Sequence, residues 1–451
     1  MRTRLLNTWF NIKSSYWFIP TIMLISSFLL SFFFIWIDGM LPEEKVPEIL
    51  QFFYLNRPEG ARALLSTIAG SMITVAGVVF SITLVVLTLA TSQFGPRILN
   101  NFIRDRGNQI VLGTFLSNFV YSLSVLRTIR GGEDNVFIPQ VSIIAGFVLA
   151  IVSIFVLIYF IHHISTSIQV FNIVSNISSE LKYTILKHFP EKNETKYSDI
   201  QKPWVTLELP PDDFEEKSRK IFSSKSGYIR VIDNDGLNSL AVKNELFIKL
   251  NCRPGDYIIE ETIIAFAYPE DKCPESIESK INGVLLIGSR RTSEQDVEFP
   301  INQIVEIAIR ALSPGINDPF TAIGCIDRLT DSLCIIARRD VPPRLKYDAD
   351  NKLRIIAESK DFTDLLNVSF DQILHYGRSD FKVVSKLLDS INTINYFLHR
   401  TEDMDAAIDF TKLINSQSNS STMVNIEKNK IEHRCQNTLE KLKELKLKQI
   451  F

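Results

Sequence analysis

The sequence predicts an α-helical membrane domain of four transmembrane helices, with both termini inside, followed by a cytosolic α+β region: a small β-rich module, then a helical subdomain. Three observations carry this reading. The long apolar runs all precede residue 165, and an ordinary charged composition follows. Four of those runs are long enough to cross a bilayer, which takes about 20 residues, and lack Asp, Glu, Lys, Arg and His throughout. The loop after the first span is rich in acids, whereas the N-terminus and the loop after the second are basic.

The spans run over about 17–37, 63–92, 110–126 and 137–161 within a transmembrane domain 1–165. Trp17 and Trp36 stand as interfacial anchors of the first. That run is too long for a signal peptide and has no A-x-A-like exit. The N-terminus carries Arg2, Arg4 and Lys13 without an acid. The second loop carries Arg97, Arg104 and Arg106 against Asp105. The first loop holds Asp38, Glu43, Glu44, Glu48 and Glu59. The positive-inside rule therefore puts the N-terminus, and after four crossings the long C-terminal part, in the cytosol. All 5 cysteines lie in that part, without a CxxC pair, as suits reduced thiols rather than a disulfide or zinc framework. The absence of an ionisable midplane group argues against proton coupling inside the membrane.

The second span, STIAGSMITVAGVVFSITLVVLTLATSQFGPR, carries a row of small polar residues. At about 100° per residue, Thr67, Ser71, Thr74, Val78, Ser81, Val85, Thr88 and Ser92 share roughly a 100° sector with alternating four-and-three spacing. Gly70 and Gly77 flank it, while Ile68, Met72, Val79 and Val86 point away. Two readings follow. Small residues and hydroxyls let membrane helices pack closely. Alternatively, several copies surround an axis, the hydroxyls wet a pore, and Val78 and Val85 form apolar constrictions. About 31 residues from Ala63, roughly 46 Å of helix, exceed the ~30 Å apolar core, so the helix tilts or projects. It stops at Gly95–Pro96. PRILNNFIRDR beyond it reads either as a helix in the inner interface or as a basic loop, with Arg97, Arg104 and Arg106 as candidates for the inner mouth. His162 and His163 close the fourth span. Neighbouring helical residues point about 100° apart and chelate poorly, so interfacial hydrogen bonding is expected of them, with pH sensing the minor alternative.

A connecting helix and linker occupy 166–202, with polar EKNETKYSD after the helix. WVTLEL, GYIRVI, ELFIKL and DYIIEETIIAFAY then read as strands of a module spanning 203–289, with turns at Asn234–Gly236 and Arg253–Asp256. The helical subdomain, 290–414, opens with INQIVEIAIRAL and breaks at SPGINDPFTAIGCIDRL. Asp318 caps the helix that Pro319 begins. Ser313, Asn317 and Asp318 form either a rigid corner or, with Arg290 and Arg291 alongside, an anion or ion site. Helices are expected over about 352–358, 361–376, 380–398 and 402–414. A polar linker at 415–422 and a Lys-rich tail helix, with Leu439, Leu442 and Leu445 on one side, complete 415–451, the tail forming a short coiled coil or resting on the membrane.

Chemistry is sparse. No P-loop, G-x-G-x-x-G or HExxH occurs, and GGED at Gly131–Asp134 sits in a short outer loop, unlike a cyclase signature. No enzyme activity, cofactor or metal is expected. A net charge of -2 gives no field for nucleic acid. The expected partners are the lipid bilayer, further copies of the chain and inorganic ions. The segments VAGVVFSITLVVLTLATSQFGPRIL, NFIRDRGNQIVLGTF, LIYFIHHI, SGYIRVID and RALSPGINDPFTAIGCIDRL resemble a bacterial family of predicted membrane proteins, domain of unknown function 2254, over nearly residues 1 to 410. The resemblance implies a bacterial inner-membrane location and no settled activity, so it carries over no catalytic residues. The expectation is a homo-oligomeric channel or permeation pathway lined by the second span, with the cytosolic part assembling or regulating it. The alternative is a membrane-anchored sensor or scaffold whose cytosolic domain binds a ligand or protein partner.

Overall fold

The structure is a computed structural model that describes residues 16–40, 57–94, 105–131, 136–167, 169–192, 213–214, 216–348 and 350–450. Arg2, Arg4, Lys13, Glu43, Glu44, Glu48, Arg97, Arg104, most of PRILNNFIRDR and the WVTLEL strand lie outside the described residues. Chain contacts separate two compact units, the first closing at Gln169 and the second opening at Val170.

Four helices long and apolar enough to cross a membrane form the first unit: α1 (Phe18–Met40), α2 (Pro58–Phe94), α3 (Arg106–Leu126) and α4 (Gln140–Ser167). α2 has 37 residues, about 55 Å at 1.5 Å per residue, longer than the sequence predicts. α3 is the hub, burying Val111, Leu112, Phe115, Tyr121 and Val125 against its neighbours. α1 turns Phe28, Leu29, Phe32, Phe33 and Trp36 outward and buries Ser27 and Ser31. Polar groups occupy the seams, where hydrogen bonds hold helices that lipid does not drive together. Ser27 Oγ donates to the Ser117 carbonyl (2.6 Å), Asn118 Nδ2 to Ser153 Oγ (3.2 Å) and the Tyr121 hydroxyl to the Ser142 carbonyl (2.9 Å). At the end of α1, the Asp38 carboxylate accepts from the Val141 and Ser142 amides at 2.8 and 2.9 Å, covering otherwise unpaired N–H groups at the start of α4.

The second unit begins with α5 (Val170–His188) and a mixed region: β1 (Arg219–Phe222), β2 (Gly227–Ile232), α6 (Asn234–Lys243), β3 (Phe247–Leu250), β4 (Tyr257–Ile258), β5 (Ile263–Tyr268), α7 (Ile277–Val284) and β6 (Leu285–Gly288). It continues with α8 (Glu298–Ala311), α9 (Pro319–Ala337), β7 (Leu345–Tyr347), β8 (Leu353–Ile356), α10 (Phe362–Gly377), α11 (Phe381–Asn395), α12 (Thr401–Asn419) and α13 (Asn425–Ile450). One sheet has the order β1-β5-β3-β8-β7 and another β4-β2-β6. β3 and β8 run parallel, Ile248 opposite Ile355, and the other pairs are antiparallel.

Several sequence readings need correction. The stretch at 352–358, expected as a helix, is strand β8: Leu353 and Ile355 point inward and Arg354 and Ile356 are half-buried, a two-residue period. Because β7 and β8 join β3, the larger sheet crosses the 289/290 boundary assigned between a β-rich module and a helical subdomain. Asn234–Gly236 is no hairpin turn; Asp233 caps α6 there, its Oδ1 accepting from the Gly236 amide at 3.0 Å. The expected linker at 415–422 is largely the last turn of α12, and the tail packs on α11 and α12 rather than standing alone. Ile431, Cys435, Thr438 and Leu442 are buried at four-three-four spacing, Asn392 Nδ2 donates to Thr438 Oγ1 (3.0 Å), and Arg434 pairs with Asp389.

Candidate functional site

The hydroxyl row of α2 lies on the outside of its unit. Thr67, Ser71, Thr74, Val78, Ser81, Val85, Thr88 and Ser92 are all exposed, Val78 at 54% and Val85 at 64%. The opposite face, centred about 145° away, buries Leu65, Ile68, Met72, Ala76, Val79, Val86 and Ala90 against the rest of the unit. Packing inside one chain is therefore not the role of the row. A Cβ added at Gly70 or Gly77 would meet nothing within 4 Å, so the notches beside the row are open.

Four of the six hydroxyls are oriented by their own helix. Thr67 donates to the Ala63 carbonyl (2.8 Å), Thr74 to Gly70 (2.8 Å), Thr88 to Leu84 (2.9 Å) and Ser92 to Leu89 (2.8 Å). This back-bonding makes a polar residue tolerable on an apolar helix. In these four it also turns the hydroxyl proton inward and leaves the oxygen lone pairs facing out.

The histidine doublet acquires a definite role. His163 Nε2 lies 2.7 Å from Asp105 Oδ2, and its ring stacks on Tyr159 at 5.4 Å. Asp105 is also the cap of α3, its Oδ1 accepting from the Gly107 amide at 2.8 Å. One carboxylate thus starts α3 and ties it to the end of α4. Gly107 permits this approach, since a Cβ there would sit 2.6 Å from His163 Nε2. Asp105 was visible in the sequence only as the lone acid of a basic loop, because its partner is 58 residues away. Arg106 follows at the first position of α3 and is exposed. Of the three inner-mouth candidates it alone is among the described residues.

The SPGIND corner folds on itself. Ser313 Oγ donates to the Arg310 carbonyl (2.7 Å), the Asn317 amide to the Ser313 carbonyl (2.9 Å) and the Asp318 amide to the Ala311 carbonyl (2.8 Å). Asn317 has φ +51, the left-handed conformation that asparagine tolerates better than most residues. Asp318 caps α9 as expected, with Oδ1 accepting from the Thr321 amide (3.1 Å) and Oδ2 from its hydroxyl (2.6 Å). Arg291 is not part of the corner. Arg291 chelates Asp296 through Nε (2.7 Å) and Nη2 (2.9 Å) and reaches Glu298 (3.4 Å) at the start of α8. The corner follows the far end of that helix, about 20 Å along its axis. Burial pushes the Asp296 carboxyl up, with Arg291 pulling the other way.

Residues 13–393 match the family described as predicted membrane protein, DUF2254. Among curated proteins, the uncharacterised Mb1321c of Mycobacterium bovis and Rv1290c of Mycobacterium tuberculosis are each 32% identical over 361 residues, 79% of this chain and 68% of theirs. No solved structure matches the chain.

Proposed function

The chain belongs to the predicted membrane protein family DUF2254, and on that premise we propose that it forms a homo-oligomeric pathway for an inorganic cation, lined by α2. The observation carrying this reading is that all eight positions of the row fall on the exposed face of α2, away from the buried face. A lipid-facing surface has no use for a periodic row of hydroxyls beside two open glycines, whereas a second copy of the helix fits such a surface. Outward lone pairs supply acceptors to water and cations. Val78 and Val85 interrupt the row as apolar rings able to gate by dewetting. The alternating basic and acidic loops support a multi-pass protein of the bacterial inner membrane with its C-terminal unit in the cytosol, where that unit assembles or regulates the pathway.

The test is potassium flux into liposomes containing the purified protein. Ser81→Leu or Thr74→Leu is expected to cut flux at least tenfold, while Phe155→Leu, on the exposed face of α4, leaves it unchanged. Ser81→Cys is expected to crosslink between copies under mild oxidation. A stable oligomer without flux for any alkali or alkaline-earth cation sinks the pathway. It favours the second reading, a membrane-anchored sensor, which draws support from a cavity in the C-terminal unit.

A further inference from the structure

That cavity, about 310 Å³, opens where the carboxyl ends of β2, β3 and β8 meet the start of α8. β3 and β8 are parallel neighbours, and ligands of open parallel sheets favour the carboxyl ends of the strands; this volume lies at the small end of the ligand-pocket range. Its floor is apolar: Ile232, Leu250 and Val297 are buried, and Ala357 is half-buried. The floor alone would suit any greasy group. The charges around it narrow the choice.

Two of the three carboxylates that line it already hold a cation, and the third, Glu358, is solvent-exposed. Asp296 is taken by Arg291 at 2.7 Å, and Glu298 by Lys360 at 2.8 Å. Arg253, on the same wall, leans on Asp256 at 3.4 Å. Lys346 differs. Among the described residues, its recorded partner is the neutral Asn234 Oδ1 at 2.8 Å, so two of its three ammonium donors are left for another acceptor. The amine is half-buried on β7, and burial pulls its pKa below the ordinary lysine value, with Asp235 pulling the other way. A partly desolvated ammonium beside an apolar floor is stabilised by an anion that brings its own hydrocarbon.

We propose that this cavity binds a small amphiphilic anion, with a carboxylate or phosphate on Lys346 and an apolar body on the Ile232–Leu250–Ala357 floor. The site stands on the C-terminal unit alone and holds whether or not α2 forms a pathway.

The full-length protein in nanodiscs is titrated with hexanoate, hexyl phosphate, inorganic phosphate and hexanol, followed by thermal unfolding. A charged hexyl probe is expected to raise the unfolding temperature with saturation, at concentrations at least tenfold below those needed for hexanol or inorganic phosphate. Lys346→Ala is expected to weaken that binding at least tenfold and Lys346→Arg to restore most of it, while Lys220→Ala, an exposed position on β1, changes nothing. Pulse acetylation read by mass spectrometry gives a second measure: the better hexyl probe slows labelling of Lys346 and leaves Lys220 untouched. Hexanol binding as tightly as the anions, equal affinity in Lys346→Ala, or no saturable effect of either charged hexyl probe overturns the assignment.

Discussion

Asp105 does two jobs with one carboxylate, and substitutions separate them. Asp105→Ala removes the α3 cap, a loss of about 1 kcal/mol, and also the His163 contact. Asp105→Asn keeps one oxygen to accept from the Gly107 amide but puts an NH2 group where Oδ2 meets His163. The alanine variant is therefore expected to lower the unfolding temperature of the protein in detergent clearly more than the asparagine variant. Equal effects would mean that the His163 bridge, rather than the cap, carries the stability. Gly255 makes a comparable demand in the second unit. Its φ is +96, and a Cβ would meet Asp296 Oδ2 at 2.5 Å. Gly255→Ala is expected to cost about 1–3 kcal/mol by urea titration. The RPGD turn was legible from its residue types, but the ion pair pressing on it was not, because Arg291 and Asp296 reach it only through the fold. The thiols supply a pH test. Burial pushes Cys252, Cys325 and Cys435 up to about 12. Their contribution to stability is intact below the unfolded-state value near 9. Between about pH 9 and 12 the unfolded chain releases protons that the folded chain keeps, so stability falls as pH rises. Iodoacetamide at pH 8.5 is expected to label these three cysteines only after denaturation.

Among the elements, the long apolar helices were the most legible because their signal is local: length and the absence of charge. The same periodicity put the hydroxyls of α2 on one sector and Ile68, Met72, Val79 and Val86 away from it, but left open which side faces the other helices; the fold buries those four. β8 was misread for the opposite reason. NKLRIIAES carries apolar residues in a run too short for its period to distinguish strand from helix, and parallel pairing with β3, about a hundred residues earlier, decides it. α13 was visible as a helix, but its partner was not. Its buried row of Ile431, Cys435 and Leu442 needs α11 and α12. Leu442→Ala is expected to cost about 2–5 kcal/mol and to make the tail sensitive to limited proteolysis, where a free coil would show no change from wild type.

At the scale of the molecule, the two units bury different things. Apart from the α2 row, the first hides amides and hydroxyls such as Asn118, Ser122 and Ser153 in its seams and shows phenylalanine and leucine outside, as a bilayer requires. The second has an apolar core built from Ile221, Ile229, Ile248, Ala265, Ile281 and Ile355. The family match ends at residue 393, inside α11, yet α12 and α13 supply packing that α11 uses. Truncation after residue 414 is therefore expected to leave a chain that reaches the membrane but loses its C-terminal unit to proteolysis, as judged by immunoblot against both ends.

The parallel pairing of β3 with β8 also orders events during synthesis. A nascent chain that has emerged only through β5 can assemble β1-β5-β3, but the outer edge of β3 stays bare until Ile356 leaves the ribosome. Bare edges recruit other strands. Throughout that interval the growing polypeptide, with its first helices already made, offers neighbouring copies an edge to pair with.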